Sequence, residues 1–204
     1  MANDNLQHLL ESRLVAIGIR REMPWEKLEG LAKQWLRFGR AMNLSGAKDL
    51  PALAEQVAEG LGVVALADRL GCVGGRWIDV GSGAGFPGLI VASCLPVETV
   101  LVEPRDRRAA FLELMMAELG VGGRVVRGRL GAGGVGGLEG ERFDWASARA
   151  VFAPGDWIER SRVLLVDGGI TFAHLHGGDP DPVGRAVDSV DSGKWSVRGY
   201  RCFT

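Results

Sequence analysis

The apolar positions at the start of the chain recur every three or four residues. Leu6, Leu9, Leu10, Leu14 and Ile17 fall on one helical stripe. Trp25, Leu28, Leu31, Ala32, Trp35 and Phe38 form a second, opened by Pro24 at a first helical position and Glu26 in the first turn. A third stripe begins near Pro51 and carries Leu53, Val57, Leu61, Val64 and Leu70. Such faces predict a small helical cap packed through its apolar side.

At Arg76 the pattern changes. Trp77-Ile-Asp-Val reads as a short strand, and Pro87 to Leu95 as a helix. Thr99 to Glu103 is a second strand and Asp106 to Leu119 a second helix. Arg124-Val-Val, Phe143 to Ser147 and Gly169 to Leu175 read as three further strands, with a helix from Trp157 to Leu165 before the last. Strands alternating with helices predict an α/β, Rossmann-like fold, in which a mostly parallel twisted sheet carries helices on both faces. Gly131 to Gly140 is glycine-rich and predicts a flexible loop. The pattern divides the chain into a cap, 1–72, and a core, 73–204, within one compact unit.

Composition adds limits. The chain has 204 residues, 47% of them hydrophobic, which suits one domain with a real core. A net charge of −1 gives no global nucleic-acid signature, so any such contact rests on a local patch. No charged-then-apolar leader and no long apolar run is visible, which predicts a cytoplasmic protein without a membrane. Cys72, Cys94 and Cys202 have neither disulfide nor zinc spacing.

The chemistry gathers at Asp79-Val-Gly-Ser-Gly-Ala-Gly-Phe-Pro-Gly88. A strand that runs into a glycine turn opening a helix lets a ligand approach the main chain, with the helix N-terminus offering free N–H groups. Gly83-Ala-Gly85-Phe-Pro-Gly88 fits the dinucleotide fingerprint, and Glu103 stands where an acidic residue holds a ribose. That match alone does not separate a nicotinamide dinucleotide from S-adenosylmethionine. Asp79, two residues before Gly81, gives the D-x-G-x-G-x-G form of class I methyltransferases. The chain also has no second substrate domain and no evident hydride-transfer His/Arg pair.

Several segments together resemble one family, the bacterial small-subunit ribosomal RNA guanine-7 methyltransferases (RsmG, or GidB). Trp35 to Met42 followed by Asn43-Leu-Ser resembles the family's W-N-x-x-x-N-L-T segment. Ile78 to Gly88 resembles its glycine motif with the F/L-P-G ending. Leu101-Val-Glu103 with Arg107-Arg108-Ala-Ala-Phe-Leu112 is similar to its L-x-(D/E)-S-x-x-K-R-x-x-F-L segment, and Ser147-Ala-Arg149-Ala150 to its S-R-A motif. The chain departs from the family in four places. Gln56 and Glu59 stand where the family has His and Asp. Arg129 is followed by Leu130-Gly rather than acids, and Leu175-His176-Gly177 replaces L-K-G. The family's final basic strand reads as absent or compressed.

The resemblance implies a class I S-adenosylmethionine-dependent methyltransferase fold, S-adenosylmethionine as cofactor, and 16S ribosomal RNA or the small subunit as partner, with the enzyme a monomer. It implies a cofactor site of Asp79, Gly81, Ser82, Gly83, Gly85, Phe86, Glu103, Pro104, Arg129, Leu130 and Arg149, and no metal. Asp79 orients the loop, the glycine backbone cradles the methionine part, and Glu103 accepts from the ribose hydroxyls. The N7 atom of guanine carries a lone pair and no proton, so methylation needs positioning rather than a base. Arg129 and Arg149 are candidates to meet phosphate or the guanine edge, and Arg105, Arg107 and Arg108 form the clearest basic cluster. Arg13, Arg20, Arg21, Lys27, Lys33, Arg37 and Arg40 add a basic face to the cap. His176 is placed at the rim of the site, and His174 receives no role. A relative with another substrate, a non-catalytic binding module and a nicotinamide enzyme remain as alternatives.

Overall fold

The structure, a computed structural model, describes residues 5–42 and 46–203. The Asn43-Leu-Ser segment quoted above lies outside the described residues. Three helices come first: α1 (Leu6–Ile17), α2 (Trp25–Met42) and α3 (Leu50–Arg69). Asn5 caps α1 by accepting the His8 amide, and Asp49 caps α3 by accepting the Ala52 amide, each satisfying a free N–H of the first turn. Then follow β1 (Arg76–Val80), α4 (Gly88–Cys94), β2 (Glu98–Val102), α5 (Asp106–Leu119) and β3 (Gly123–Val126). The chain continues through β4 (Leu130–Gly131), β5 (Gly134–Val135), β6 (Phe143–Ala148), α6 (Pro154–Ser161), β7 (Leu165–His176), β8 (Asp188–Asp191) and β9 (Trp195–Arg201).

Seven strands form one sheet in the order β3-β2-β1-β6-β7-β9-β8. The first five in that order pair in parallel, and β9 lies antiparallel between β7 and β8. From β1 the chain winds outward to β2 and β3, then returns to β6 on the other side. That reversal opens a crevice beyond the carboxyl ends of β1 and β6, where ligands bind in open α/β sheets.

Helix α3 is the main prop on one face. Twelve of its residues are buried, and all of these but Gly60 and Gly62 join residues of α1, α2 and the sheet in one hydrophobic cluster. Among the described residues it alone has the length and apolarity to cross a membrane, and 67% of that apolar stretch is buried here against the rest of the fold. Beneath the crevice the Trp77 ring stacks on Phe172 at 5.0 Å and on Trp145 at 6.2 Å, giving a stiff aromatic floor.

One expectation fails, and two strands are added. Gly131 to Gly140 is not a featureless loop. It makes the β4–β5 hairpin, and Val135 and Leu138 are buried in the second core cluster, because two apolar side chains suffice to anchor a tight turn. Two strands that the sequence did not announce complete the sheet. β9 pairs along its length with β7 and carries Arg198 and Arg201, while β8 closes the edge.

Candidate active site

Strand β1 delivers Asp79 to the base of the glycine loop. Its carboxyl is 1% exposed, and Oδ1 accepts the Ser147 hydroxyl at 2.7 Å. Ser147 in turn accepts the Trp77 indole N–H at 2.9 Å, so the aromatic floor and the loop share one hydrogen-bonded chain. Oδ2 has no hydrogen bond of ordinary geometry. Burial pushes the Asp79 carboxyl above the usual carboxylate range, against the opposing pull of Ser147 and the nearby Gly88 amide. A Cβ on Gly88 would stand 2.7 Å from Oδ2 and 2.5 Å from Leu101, so only glycine lets α4 start this close to β1.

The loop above Asp79 is held by its own main chain. The Gly81 and Ser82 amides donate to the Val102 carbonyl at 2.8 and 3.0 Å, and Gly85 donates to Ser82. Gly81 adopts φ +73°, a left-handed turn that favours glycine, and a Cβ there would strike Val151. The Gly83 amide donates to Glu103 Oε2 at 2.9 Å, while Oε1 accepts the Arg105 amide at the same distance. Glu103 is 3% exposed. The expectation of free N–H groups at this turn is therefore corrected. Most of its amides are spent inside the protein, and a buried carboxyl sits near the start of α4. A pyrophosphate therefore finds few donors on this turn.

A cavity of about 660 Å³ opens over these strand ends. Gly81, Ser82, Gly83 and Phe86 line it from the loop after β1, and Glu103 and Pro104 from the end of β2. Arg129 and Leu130 follow β3, and Arg149 follows β6. Of the expected cofactor residues, Asp79 and Gly85 do not line it. Asp79 lies underneath, and Gly85 turns inward against Leu89. From the basic cluster, Arg105 and Arg108 line the cavity and Arg107 does not. In the cap, Arg13 pairs with Glu55 at 2.6 Å and Arg21 with Asp68 at 3.4 Å, so part of that basic face is neutralised locally.

Sequence reasoning missed an ion-paired cluster beside this cavity. Arg149 Nη2 lies 2.8 Å from Glu59 Oε2, and His174 Nδ1 lies 2.8 Å from Glu59 Oε1. Burial works to raise the Glu59 carboxyl, but the hydrogen bond and charge of His174, then those of Arg149, outweigh it and hold Glu59 below its ordinary value. The Arg149 guanidinium also stands over Phe86, which stacks on Trp35 at 4.1 Å. The Trp35 indole donates to the Ala84 carbonyl at 2.7 Å, tying the cap to the glycine loop. His174, given no role in sequence, thus belongs to this ion-paired cluster and lines a neighbouring cavity. The signal available was the carboxylate at position 59, kept where the family has an aspartate.

A second cavity of about 510 Å³ adjoins the first, and Arg149, Ala150 and Phe152 belong to both walls. His174, His176 and Lys194 line it. Among the described residues no cluster of three or more His, Cys, Asp or Glu side chains could hold a metal.

The family model for rRNA small subunit methyltransferase G matches residues 25–180. The ribosomal RNA small subunit methyltransferase G of Halorhodospira halophila is 35% identical over 167 residues, covering 80% of this chain and 76% of that protein. Its counterpart from Rhizorhabdus wittichii is 51% identical over 84 residues, 40% of this chain and 36% of its own length. Other curated relatives are likewise matched over 39–42% of their length. An RNA methyltransferase from Salinibacter ruber, solved in complex with S-adenosyl-L-homocysteine, superposes with a TM-score of 0.53 at 17% identity, over 69% of this chain and 90% of that one. That likeness speaks for the fold alone, the class I methyltransferase fold. The chain belongs to the rRNA small subunit methyltransferase G family.

Proposed function

We infer that the chain is an S-adenosylmethionine-dependent methyltransferase that methylates N7 of a guanine in 16S ribosomal RNA. The observation that carries this reading is the cavity over the ends of β1, β2, β3 and β6, floored by a glycine loop that Glu103 pins in place. The residues present fit the cofactor. The turn approaches a ligand through bare backbone rather than through phosphate-binding amides, and Glu103 keeps unused lone pairs for ribose hydroxyls. Arg129 and Leu130 wall the side away from the loop, where the adenine end would rest. S-adenosylmethionine supplies an electrophilic methyl group when bound.

The protein's part is placement and exclusion of water. The acceptor nitrogen attacks in line and loses no proton, so no side chain has to act as a base. Arg105 and Arg108 offer charge to RNA phosphates at the cavity mouth. We place the enzyme in the cytoplasm, acting as a monomer on the small subunit.

The test incubates small subunits lacking the modification with radiolabelled S-adenosylmethionine, then digests the RNA to nucleosides. The expected product is labelled 7-methylguanosine from 16S RNA. Label on another nucleoside points to another substrate, and wild-type protein that transfers no label overturns the enzymatic reading.

A further inference from the structure

Arg149 leaves the end of β6 and lies in the wall common to both cavities. A base arriving through the second cavity meets the contents of the first at this side chain. Arginine ordinarily reads guanine with its fork, donating to O6 and N7 together. In a reaction at N7 that habit is harmful, because the same lone pair must attack the methyl group.

The guanidinium here is not free to present its fork. Nη2 is engaged by Glu59 Oε2 at 2.8 Å. The other Glu59 oxygen is engaged by His174 Nδ1, also at 2.8 Å, which fixes the orientation of the carboxylate in the wall of the second cavity. Three elements meet in this clamp: α3 through Glu59, the end of β6 through Arg149 and β7 through His174. The side chains of Glu59, Arg149 and His174 are 13%, 27% and 6% exposed, which limits screening by water and keeps the pairing stiff. Phe86, stacked on Trp35, supports the flat face of the guanidinium from the loop side.

We propose, on the footing of the guanine-N7 reading above, that Glu59 and His174 are positioning residues that hold one edge of Arg149, so that it donates to guanine O6 and leaves N7 open. The carboxylate has a second effect. Positive charge passes from sulfur to the base during transfer, and Glu59 offsets the arginine's own charge beside that developing cation.

The experiment compares wild type with Glu59→Gln, Glu59→Asp, His174→Phe, Arg149→Lys and the double variant Glu59→Gln/Arg149→Lys. Each is assayed for transfer to small subunits and for S-adenosylmethionine binding by calorimetry, with thermal unfolding recorded alongside. Glu59→Gln is expected to lower kcat tenfold or more while cofactor Kd stays within threefold. Glu59→Asp, which keeps the carboxylate, should recover part of the loss, and His174→Phe should lose less than Glu59→Gln. Once Glu59 is replaced, Arg149→Lys should cost little more, because the same placement is already gone. Fully multiplicative losses in the double variant, or kcat and KM within twofold of wild type in Glu59→Gln, overturn the clamp. A Glu59→Asp protein no better than Glu59→Gln also counts against it. A wild type that binds cofactor but leaves the subunit unlabelled overturns the guanine-N7 reading, and this proposal with it.

Discussion

Glu103 accepts the backbone amide of Gly83, a partner twenty residues earlier in the chain, at 2.9 Å. The carboxylate that closes β2 thereby sets the height of the loop that follows β1. Its other oxygen takes the Arg105 amide and fixes the turn into α5. Replacing Glu103 by alanine leaves two main-chain donors without their partner, a loss of roughly 2–4 kcal/mol. The variant should show a clearly lower thermal midpoint and S-adenosylmethionine affinity reduced by roughly tenfold or more, equivalent to about 1.4 kcal/mol. Calorimetry that finds cofactor bound as tightly as by wild type removes Glu103 from the site.

Gly88 is where α4 presses on β1. Gly88→Ala places a methyl group 2.5 Å from Leu101 and 2.7 Å from the Asp79 carboxyl, so the helix must back away. The expected cost is about 1–3 kcal/mol, with weaker cofactor binding because the loop moves with the helix. Gly30, inside α2, is the control. A Cβ there meets nothing within 4 Å, and Gly30→Ala should gain roughly 0.5–1 kcal/mol of helix stability. Denaturant unfolding that ranks the two variants the other way contradicts this account of the packing.

Acid stability carries a mark of the turn between β7 and β8. Asp181 accepts the amides of Val183 at 3.0 Å and Ala186 at 2.8 Å, and the Tyr200 hydroxyl at 3.0 Å. Partial burial works to raise its carboxyl, but these hydrogen bonds win and hold it at about 2. Its folded value lies below the ordinary one of 3.8, so its contribution is present above that pH and fades as pH falls toward about 2. Asp181→Asn should be less stable than wild type near neutrality, and the gap should close on acidification through that window. A gap that stays constant across it shows that the Asp181 charge does not matter.

Much of the site could be read from local patterns. The β1 strand, the glycine turn and the acid closing β2 are contiguous or spaced within one βαβ unit, where period and turn chemistry are visible in sequence. Long-range pairing was not visible. β9 has no continuous apolar run. It is held from both sides by β7 and β8, so Ser196 and Gly199 serve as well as Val197 and Tyr200. The Glu59 clamp joins side chains as far as 115 positions apart, and nothing near Glu59 or His174 in sequence announces the other. The hairpin after β3 was hidden by its glycines, which mask how firmly Val135 and Leu138 anchor it.

We hold that the cavity over the strand ends is a methyl-donor site and not a dinucleotide site. Its most direct test is a calorimetric titration of the purified protein with S-adenosylmethionine, with NAD as the control. The account predicts saturable binding of S-adenosylmethionine at micromolar concentrations and no heat from NAD. Saturable NAD binding with no response to S-adenosylmethionine would contradict it.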